Sequence, residues 1–283
     1  MRSLIKPTQK AKTVFALCTG NIQDDELKAK LNAVADTIEA EEIRYDEHGE
    51  NAELFQLSGT NGVGNDVSTE EMIWLYDNKL SKKGHAARKI YDEIRTSSKH
   101  GICPLCAHRD VSTLDHYLAK TIHPLYAITP INLLPACSPC NKTKLASQPD
   151  NAVDQTLHPY FDNVDHAQWL KAQVVEETPP GVLFFAEPPN DWPQVLRERV
   201  ANHFKFFKLE ELYAANAARE LANICHYLRR VADDAGSEAV RSHLEVQATS
   251  RRVAEINSWE TAMYEALAAS EWFWNGGHRS IAV

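Results

Sequence analysis

The fold of this chain is decided by residues 103–144, which read CPLCAHRDVSTLDHYLAKTIHPLYAITPINLLPACSPCNKTK. The stretch begins with Cys103-Pro-Leu-Cys106, and a second pair, Cys137-Ser-Pro-Cys140, follows after 30 intervening residues. Each short Cys-x-x-Cys turn can direct two thiolates at one metal ion, so the pattern predicts a tetrahedral structural Zn²⁺ site. The spacer is longer than in most four-cysteine zinc motifs, and it therefore predicts further structure between the two turns.

Two other uses of these cysteines are weaker. No signal peptide is recognisable and no apolar run approaches the roughly 18 residues that span a bilayer, so the chain is expected to be cytoplasmic, with reduced thiols. A redox Cys-x-x-Cys would explain only one pair, and neither pair lies between a strand and a helix of a βαβ unit. Cys18 and Cys225 lie in apolar helical contexts and are expected to be small buried hydrophobes.

Polar residues that can bind a metal or transfer a proton lie at the turning points of the spacer. Residues 111–118 are rich enough in β-branched and aromatic side chains for a strand, and they contain Asp115-His116. Asn132 follows in the loop, and Asn141 comes directly after the second cysteine pair. A short helix is predicted there, because a proline is tolerated in a first helical turn. The predicted order is therefore cysteine turn, strand, loop, cysteine turn and helix.

On these residues the chain resembles the HNH endonucleases, the ββα-metal nuclease family, in the version stapled by a four-cysteine zinc site. The resemblance implies an α+β, mostly helical protein that hydrolyses nucleic-acid phosphodiesters and leaves 5′-phosphate and 3′-hydroxyl ends. It implies that His116 is the general base, which takes a proton from water. Asp115 and Asn141 would supply oxygen ligands to a catalytic Mg²⁺ or Mn²⁺. Asn132 would hold the loop and orient His116.

The match has identifiable departures from the family pattern. Asn141 stands where many members have histidine, and an amide binds a metal less strongly than an imidazole. Ala119 stands where many members have proline. In addition, neighbouring residues on a strand point to opposite faces, so Asp115 and His116 can serve one site only if the strand ends or twists there.

Two alternative functions remain open at this level. A zinc ribbon without catalysis could be an adaptor for nucleic acid or protein, although Asp115, His116 and Asn141 in register count against it. A stand-alone restriction nuclease would cut without a partner. Four further histidines flank the motif and are expected to have no catalytic role, the last being the best placed to meet a phosphate: His85, His100, His108 and His123.

The charge of the chain is distributed unevenly. The 283 residues carry a net charge of −9, which by itself argues against a nucleic-acid partner. Residues 82–144, however, contain ten Lys or Arg and four Asp or Glu, a net +6, so the remainder carries −15. Residues 21–71 alone carry −11. A basic segment around the motif is typical of nucleic-acid binding, and the lysines beside the motif are predicted to contact phosphates: Lys120, Lys142 and Lys144.

Three regions are predicted along the chain. Residues 1–80 form an acidic, mostly helical extension, which is expected to face a basic partner or to shield the nuclease groove. Residues 81–150 form the HNH module, and residues 151–283 form a hairpin followed by a helical region. The glycine-rich run at 59–66 is expected to be a flexible linker.

The arrangement as a whole resembles the PtuB-like HNH nucleases of Septu and retron-associated antiviral defence systems. Residues 81–92 and the Asn-x-Trp-Glu-Thr-Ala run at 257–262 add to the likeness. The resemblance implies an ABC/SMC-like ATPase partner, with a retron complex as one setting in which the two would work.

Overall fold

The computed structural model describes residues 1–281 and shows an α+β protein in two compact units, Met1–Asn163 and Val164–Val283. No helix within the described residues is long and apolar enough to cross a membrane. The helices and strands of the first unit are α1 Ala11–Thr19, α2 Asp25–Ala33, α3 Ala35–Glu50, α4 Thr69–Leu75, α5 Arg88–Arg95, β1 Thr113–His116, β2 Leu133–Ala136 and α6 Ser138–Lys144. Short 3₁₀ turns and one π-helical turn, Tyr76–Leu80, connect them.

The first unit contains the predicted strand and helix around the cysteine motif. β1 pairs antiparallel with β2, with Asp115 opposite Leu134 and His116 opposite Leu133. Cys137 is the N-cap of α6, whose first turn contains the predicted proline. The hairpin and the helix are thus continuous in sequence, and α6 lies against β1.

The N-terminal helices share one core with the cysteine motif. Leu31, Ile38 and Tyr45 follow at intervals of seven residues and are all buried. They belong with Leu114 of β1 and Leu133 of β2 to the interior of the same unit. The chain divides after residue 163, and the apolar faces of the acidic helices are buried inside the first unit. The functional division into regions 1–80, 81–150 and 151–283 stays a prediction.

The glycine-rich run at 59–66 is an ordered turn, in contrast to the predicted linker. Val63 and Val67 are buried and form a bridge, with the Val63 amide donating to the Val67 carbonyl at 2.8 Å. Gly62 has a φ of +105°, and a Cβ at this position would lie 2.2 Å from the Val67 carbonyl oxygen. Only glycine fits this close backbone approach.

The second unit contains a hairpin and long helices, as the sequence pattern predicts. Its elements are β3 Leu170–Val175, β4 Gly181–Ala186, α7 Gln194–Phe206, α8 Leu209–Ala235, α9 Ser237–Ala254, α10 Trp259–Ala269 and α11 Glu271–Trp274. β3 and β4 pair antiparallel, and α8 and α10 pack on them. Asn257, just before α10, accepts from the amides of Trp169 and Leu170 and donates to the carbonyls of Val164 and Ala167. It therefore fixes the entry into β3.

Candidate active site

The four cysteines of the two turns converge on one point, as their spacing predicts. Their sulfur atoms all lie within 4.8 Å of one another, and all four side chains are buried. The Sγ atoms of Cys106 and Cys137 are 3.9 Å apart, close to the edge of about 3.8 Å of a tetrahedron with 2.3 Å Zn–S bonds. The amide of Arg109 also points at the Cys106 sulfur, at 3.5 Å. The cluster can therefore hold a metal ion such as zinc.

The protonation of the cluster also fits a metal. Hydrogen bonds from Cys103 and its neighbours lower the pKa of Cys106, whereas hydrogen bonds among the same thiols raise the pKa of Cys140. Such a set cannot ionise fully without a cation, because four thiolates in one buried cluster repel each other. A divalent metal supplies that charge and holds all four as thiolates.

Asp115 and His116 stand at the end of β1, and the strand stops at His116. Both residues still have strand partners, Leu134 and Leu133, so the convergence of their two side chains on one ion stays a prediction. Both side chains are buried: Asp115 is 4% exposed and His116 8%. The two predicted site residues thus lie at the point where the hairpin opens into its long loop.

The buried carboxylate of Asp115 faces the ammonium of Lys144 from α6. The Lys144 Nζ lies 3.6 Å from the Asp115 Oδ2 and donates to the His116 carbonyl. No hydrogen-bond partner reaches Asp115 Oδ2 among residues 1–281. Burial raises the pKa of Asp115 to about 6, against the opposing charge of Lys144. This oxygen is an incompletely satisfied buried acceptor that a cation can bind.

The His116 ring is held by one hydrogen bond and one aromatic contact. Its Nε2 lies 2.8 Å from the Ala127 carbonyl oxygen, and Tyr76 packs edge-on with ring centroids 4.4 Å apart. Because a carbonyl can only accept, Nε2 carries the proton and Nδ1 is the acceptor in the neutral ring. Burial lowers the pKa of His116 to about 3, so the ring is neutral at neutral pH.

Asn132 is completely buried and uses all four hydrogen-bonding positions of its amide. Its Oδ1 accepts from the Leu118 amide at 2.7 Å and from the Tyr45 hydroxyl at 3.0 Å. Its Nδ2 donates to the carbonyls of Leu118 and Tyr126, both at 3.0 Å. The Asn132 amide therefore has no hydrogen-bonding position left for substrate or metal. The geometry is that of a residue that fixes the loop between β1 and β2.

Asn141 lies on α6, three residues before Lys144, and this spacing puts both on one side of the helix. Lys144 shows that this side faces Asp115. Asn141 is half-buried, and its side-chain amide makes no hydrogen bond to any described residue, 1–281. One carboxylate and one amide oxygen from these two positions suit a hard divalent cation. The residues therefore fit the implied Mg²⁺ site.

The three lysines predicted to contact phosphate have different environments. Lys142 is exposed. Lys120 pairs with Asp77 at 2.6 Å and lies 4.3 Å above the Tyr76 ring. Lys144 is only 4% exposed and is occupied by the Asp115 carboxylate and the His116 carbonyl. Lys144 is thus buried beside Asp115, whereas the sequence analysis predicted a phosphate contact for it.

Half of the ten cations in residues 82–144 are free of acidic partners. The five paired ones lie opposite acids on the same unit. Among residues 1–281, the cations of this segment without an ion pair are Lys82, Lys83, Lys99, Arg109 and Lys142. These side chains are exposed or half-buried, so their charge is available to a ligand.

Of the four flanking histidines, only the last is in the interior. His123 is 2% exposed, and burial lowers its pKa to about 4. The other three are exposed or half-buried. His123 is therefore a neutral buried imidazole, stacked at 6.2 Å on Tyr126.

Sequence reasoning missed three residues that surround the site: Tyr45, Tyr76 and His158. Tyr76 belongs to the π-helical turn beside His116. Tyr45 reaches Asn132 from α3, and His158 reaches Tyr45 from the segment after α6. The available signal for Tyr45 was its seven-residue spacing from Ile38, which marks the buried side of an otherwise acidic helix.

The chain was compared with known proteins, and it is similar to a phage protein. The protein Ea31 of Escherichia phage lambda is 29% identical over an alignment of 229 residues, which covers 76% of this chain and 76% of Ea31. No protein-family model matches the chain. No solved structure matches it.

Proposed function

We propose that this protein is a zinc-stabilised, divalent-metal-dependent HNH endonuclease that hydrolyses nucleic-acid phosphodiesters. The observation that supports the proposal is the arrangement of hairpin and helix: β1 ends on Asp115 and His116, α6 brings Lys144 to Asp115, and Asn141 lies on α6 three residues before Lys144. The four-cysteine cluster holds both ends of this arrangement, since Cys137 and Cys140 stand at the start of α6. A bound zinc would make it rigid.

The residues of the site divide the chemical work. Asp115 and Asn141 would hold the catalytic Mg²⁺ or Mn²⁺, which neutralises charge on the phosphate and on the departing 3′-oxygen. His116 directs Nδ1, its proton acceptor, by donating Nε2–H to the Ala127 carbonyl. A water at Nδ1 would lose its proton to this nitrogen as it attacks phosphorus. The negative charge of a bound phosphate raises the low pKa of this imidazole, which helps it to accept the proton.

The surface of the segment supports a polyanionic substrate. Five cations between Lys82 and Lys142 have no acidic partner among residues 1–281. Unpaired cations release counterions when they bind phosphates, and this release supplies much of the affinity for nucleic acid. The proposal assigns Lys142 to this surface and Lys120 to the same role once it leaves Asp77.

We place the nuclease in an antiviral defence system in which an ABC/SMC-like ATPase directs or restrains it. The support is the resemblance to PtuB-like proteins, and the Asn257 interactions give a physical role to one of the motifs that carry it.

The test is His116→Ala, purified with and without the proposed ATPase partner. The variant should keep one zinc per chain and a cooperative melting transition, and should lose Mg²⁺-dependent cleavage of plasmid and oligonucleotide substrates. His123→Ala is the matched control, because it removes a buried imidazole of the same unit that has no part in the proposed chemistry. Unchanged cleavage by His116→Ala would refute the assignment. If the wild type binds nucleic acid and never cleaves it, the non-catalytic adaptor is the better description.

A further inference from the structure

We infer that Tyr45, supported by His158, is a positioning residue for the catalytic histidine, although both lie outside the hairpin and helix of the motif. The inference rests on the proposed nuclease function and adds residues to it that the sequence motif does not contain. Tyr45 is in the middle of α3, and His158 comes 14 residues after the end of α6. Both are fully buried beside Asn132.

The hydrogen bonds of this pair have only one consistent direction. The His158 Nδ1 accepts from the Tyr160 amide at 3.2 Å, so the proton of the neutral ring is on Nε2. Nε2 lies 3.2 Å from the Tyr45 hydroxyl oxygen and donates to it. The Tyr45 proton is then directed at the Asn132 Oδ1, 3.0 Å away, which can only accept. Burial raises the pKa of Tyr45 well above its usual value, so this donor keeps its proton.

From Asn132 the constraint continues to His116 through one residue of backbone. The Asn132 Nδ2 donates to the Tyr126 carbonyl, and the next carbonyl along the chain, that of Ala127, holds His116 Nε2. The Tyr45 hydroxyl therefore fixes the side-chain amide of Asn132. This amide fixes the loop between β1 and β2, and the loop orients the His116 imidazole. The Tyr45 ring also packs on Tyr126 with centroids 5.0 Å apart.

The expected contribution is moderate. Without the Tyr45 hydroxyl, the Asn132 oxygen still accepts from the Leu118 amide, and its nitrogen still reaches two carbonyls. The amide therefore keeps its orientation but gains freedom. Loss of such a supporting contact reduces activity by about tenfold or somewhat more in comparable sites.

The test is Tyr45→Phe, which removes one oxygen atom, in the full chain with its zinc. We expect zinc content to be unchanged, the melting temperature to fall by no more than about 5 °C, and kcat to fall about tenfold with little change in KM. Tyr126→Phe is the matched control, since the Tyr126 hydroxyl donates to the Glu41 carboxylate at 2.7 Å and is not hydrogen-bonded to Tyr45, Asn132 or His158. Its kcat should stay within about twofold of wild type.

Two substitutions of His158 separate its two ring nitrogens. Glutamine can place a donor near the position of Nε2, so His158→Gln should keep most of the kcat. Asparagine can replace the Nδ1 acceptor for Tyr160 but leaves the Tyr45 hydroxyl without its donor, so His158→Asn should resemble Tyr45→Phe. Equal loss in both variants, at equal melting temperature, would overturn the assigned direction.

A readout without cleavage keeps the inference separate from the nuclease proposal. The ¹⁵N shifts of the His116 imidazole report its tautomer, which should be the Nε2–H form in wild type and in Tyr126→Phe. Tyr45→Phe should show exchange broadening or a mixture of tautomers. If the wild type shows no cleavage, the nuclease proposal fails while the imidazole spectra still test the positioning. Identical spectra and identical kcat for Tyr45→Phe and wild type would refute the inference.

Discussion

Replacement of Asn132 by alanine removes the most completely bonded side chain of the site. Four groups lose their partner: the Tyr45 hydroxyl, the Leu118 amide and the carbonyls of Leu118 and Tyr126. At a net value of about 1 kcal/mol for each hydrogen bond, the loss is about 4 kcal/mol. A water molecule in the vacated space can restore two or three of these bonds, which reduces the loss to about 2 kcal/mol.

Asn257→Ala is the control for this perturbation. Asn257 is also buried and also makes four hydrogen bonds to its surroundings, but it lies in the second unit. The predicted loss of stability is therefore the same, about 2–4 kcal/mol. Only the first substitution disturbs the loop that orients His116, so only Asn132→Ala should reduce kcat more than tenfold under conditions where both variants are folded.

Urea unfolding with two probes separates the units. Zinc release reports the unit that contains the cysteine cluster, and tryptophan fluorescence reports mainly the second unit, which contains all of the six tryptophans except Trp74. Asn132→Ala should shift the zinc-release midpoint and Asn257→Ala the fluorescence midpoint. A loss below about 1 kcal/mol for Asn132→Ala would contradict the hydrogen-bond account. Equal kcat in the two variants would contradict the positioning role.

Three further predictions concern zinc, charge and backbone. Removal of zinc by a chelator, or Cys137→Ala, should abolish the cooperative melting of the first unit, because structural zinc contributes about 10–16 kcal/mol; a retained melting transition would speak against a structural metal. Asp77→Asn frees Lys120 and should tighten oligonucleotide binding in fluorescence anisotropy by up to about fivefold at low salt, the value of an exposed ion pair, and Asp77→Glu should leave it unchanged. Gly62→Ala should lower the unfolding free energy by about 3 kcal/mol or more, since its Cβ would meet the Val67 carbonyl. Gly84→Ala, with φ +87° and no atom within 4 Å, should cost only about 1 kcal/mol, and equal costs would show that the Val67 contact is absent in solution.

The buried side of α3 gives the acidic helices a structural role that the predicted extension did not include. Their charge was expected to face a partner or to shield the groove, which treats them as an addition to the nuclease. In the structure, α3 supplies Tyr45 to the interior of the site, and Glu42 of the same helix accepts from the Ala11 amide at the start of α1. Deleting residues 21–66 would remove part of the core, so surface substitutions of the acids are the better test of a partner contact.

Local features of the site could be predicted because they depend on spacing along the chain. A spacing of two residues between cysteines lets both thiolates bind the same metal ion. Pro139, two residues after Cys137, is compatible with the first turn of a helix. The predicted strand and the predicted helix were both found, and the sulfur atoms of the four cysteines meet within 4.8 Å. None of these features requires knowledge of distant residues.

The sequence by itself predicted the cysteine cluster, the strand that contains Asp115 and His116, and the helix at the second cysteine turn. The resemblance to the HNH family selected Asp115, His116, Asn132 and Asn141 as candidates. Only the tertiary structure decided that β1 ends at His116, that Lys144 is buried against Asp115, and that Tyr45 and His158 support Asn132. Tyr45 and Asn132 are 87 residues apart, and Tyr45 and His158 are 113 apart. Contacts of this kind depend on which helices and strands pack their apolar faces against each other. The spacing of apolar residues along the sequence shows that one face of a helix is buried, but it does not show which element covers that face.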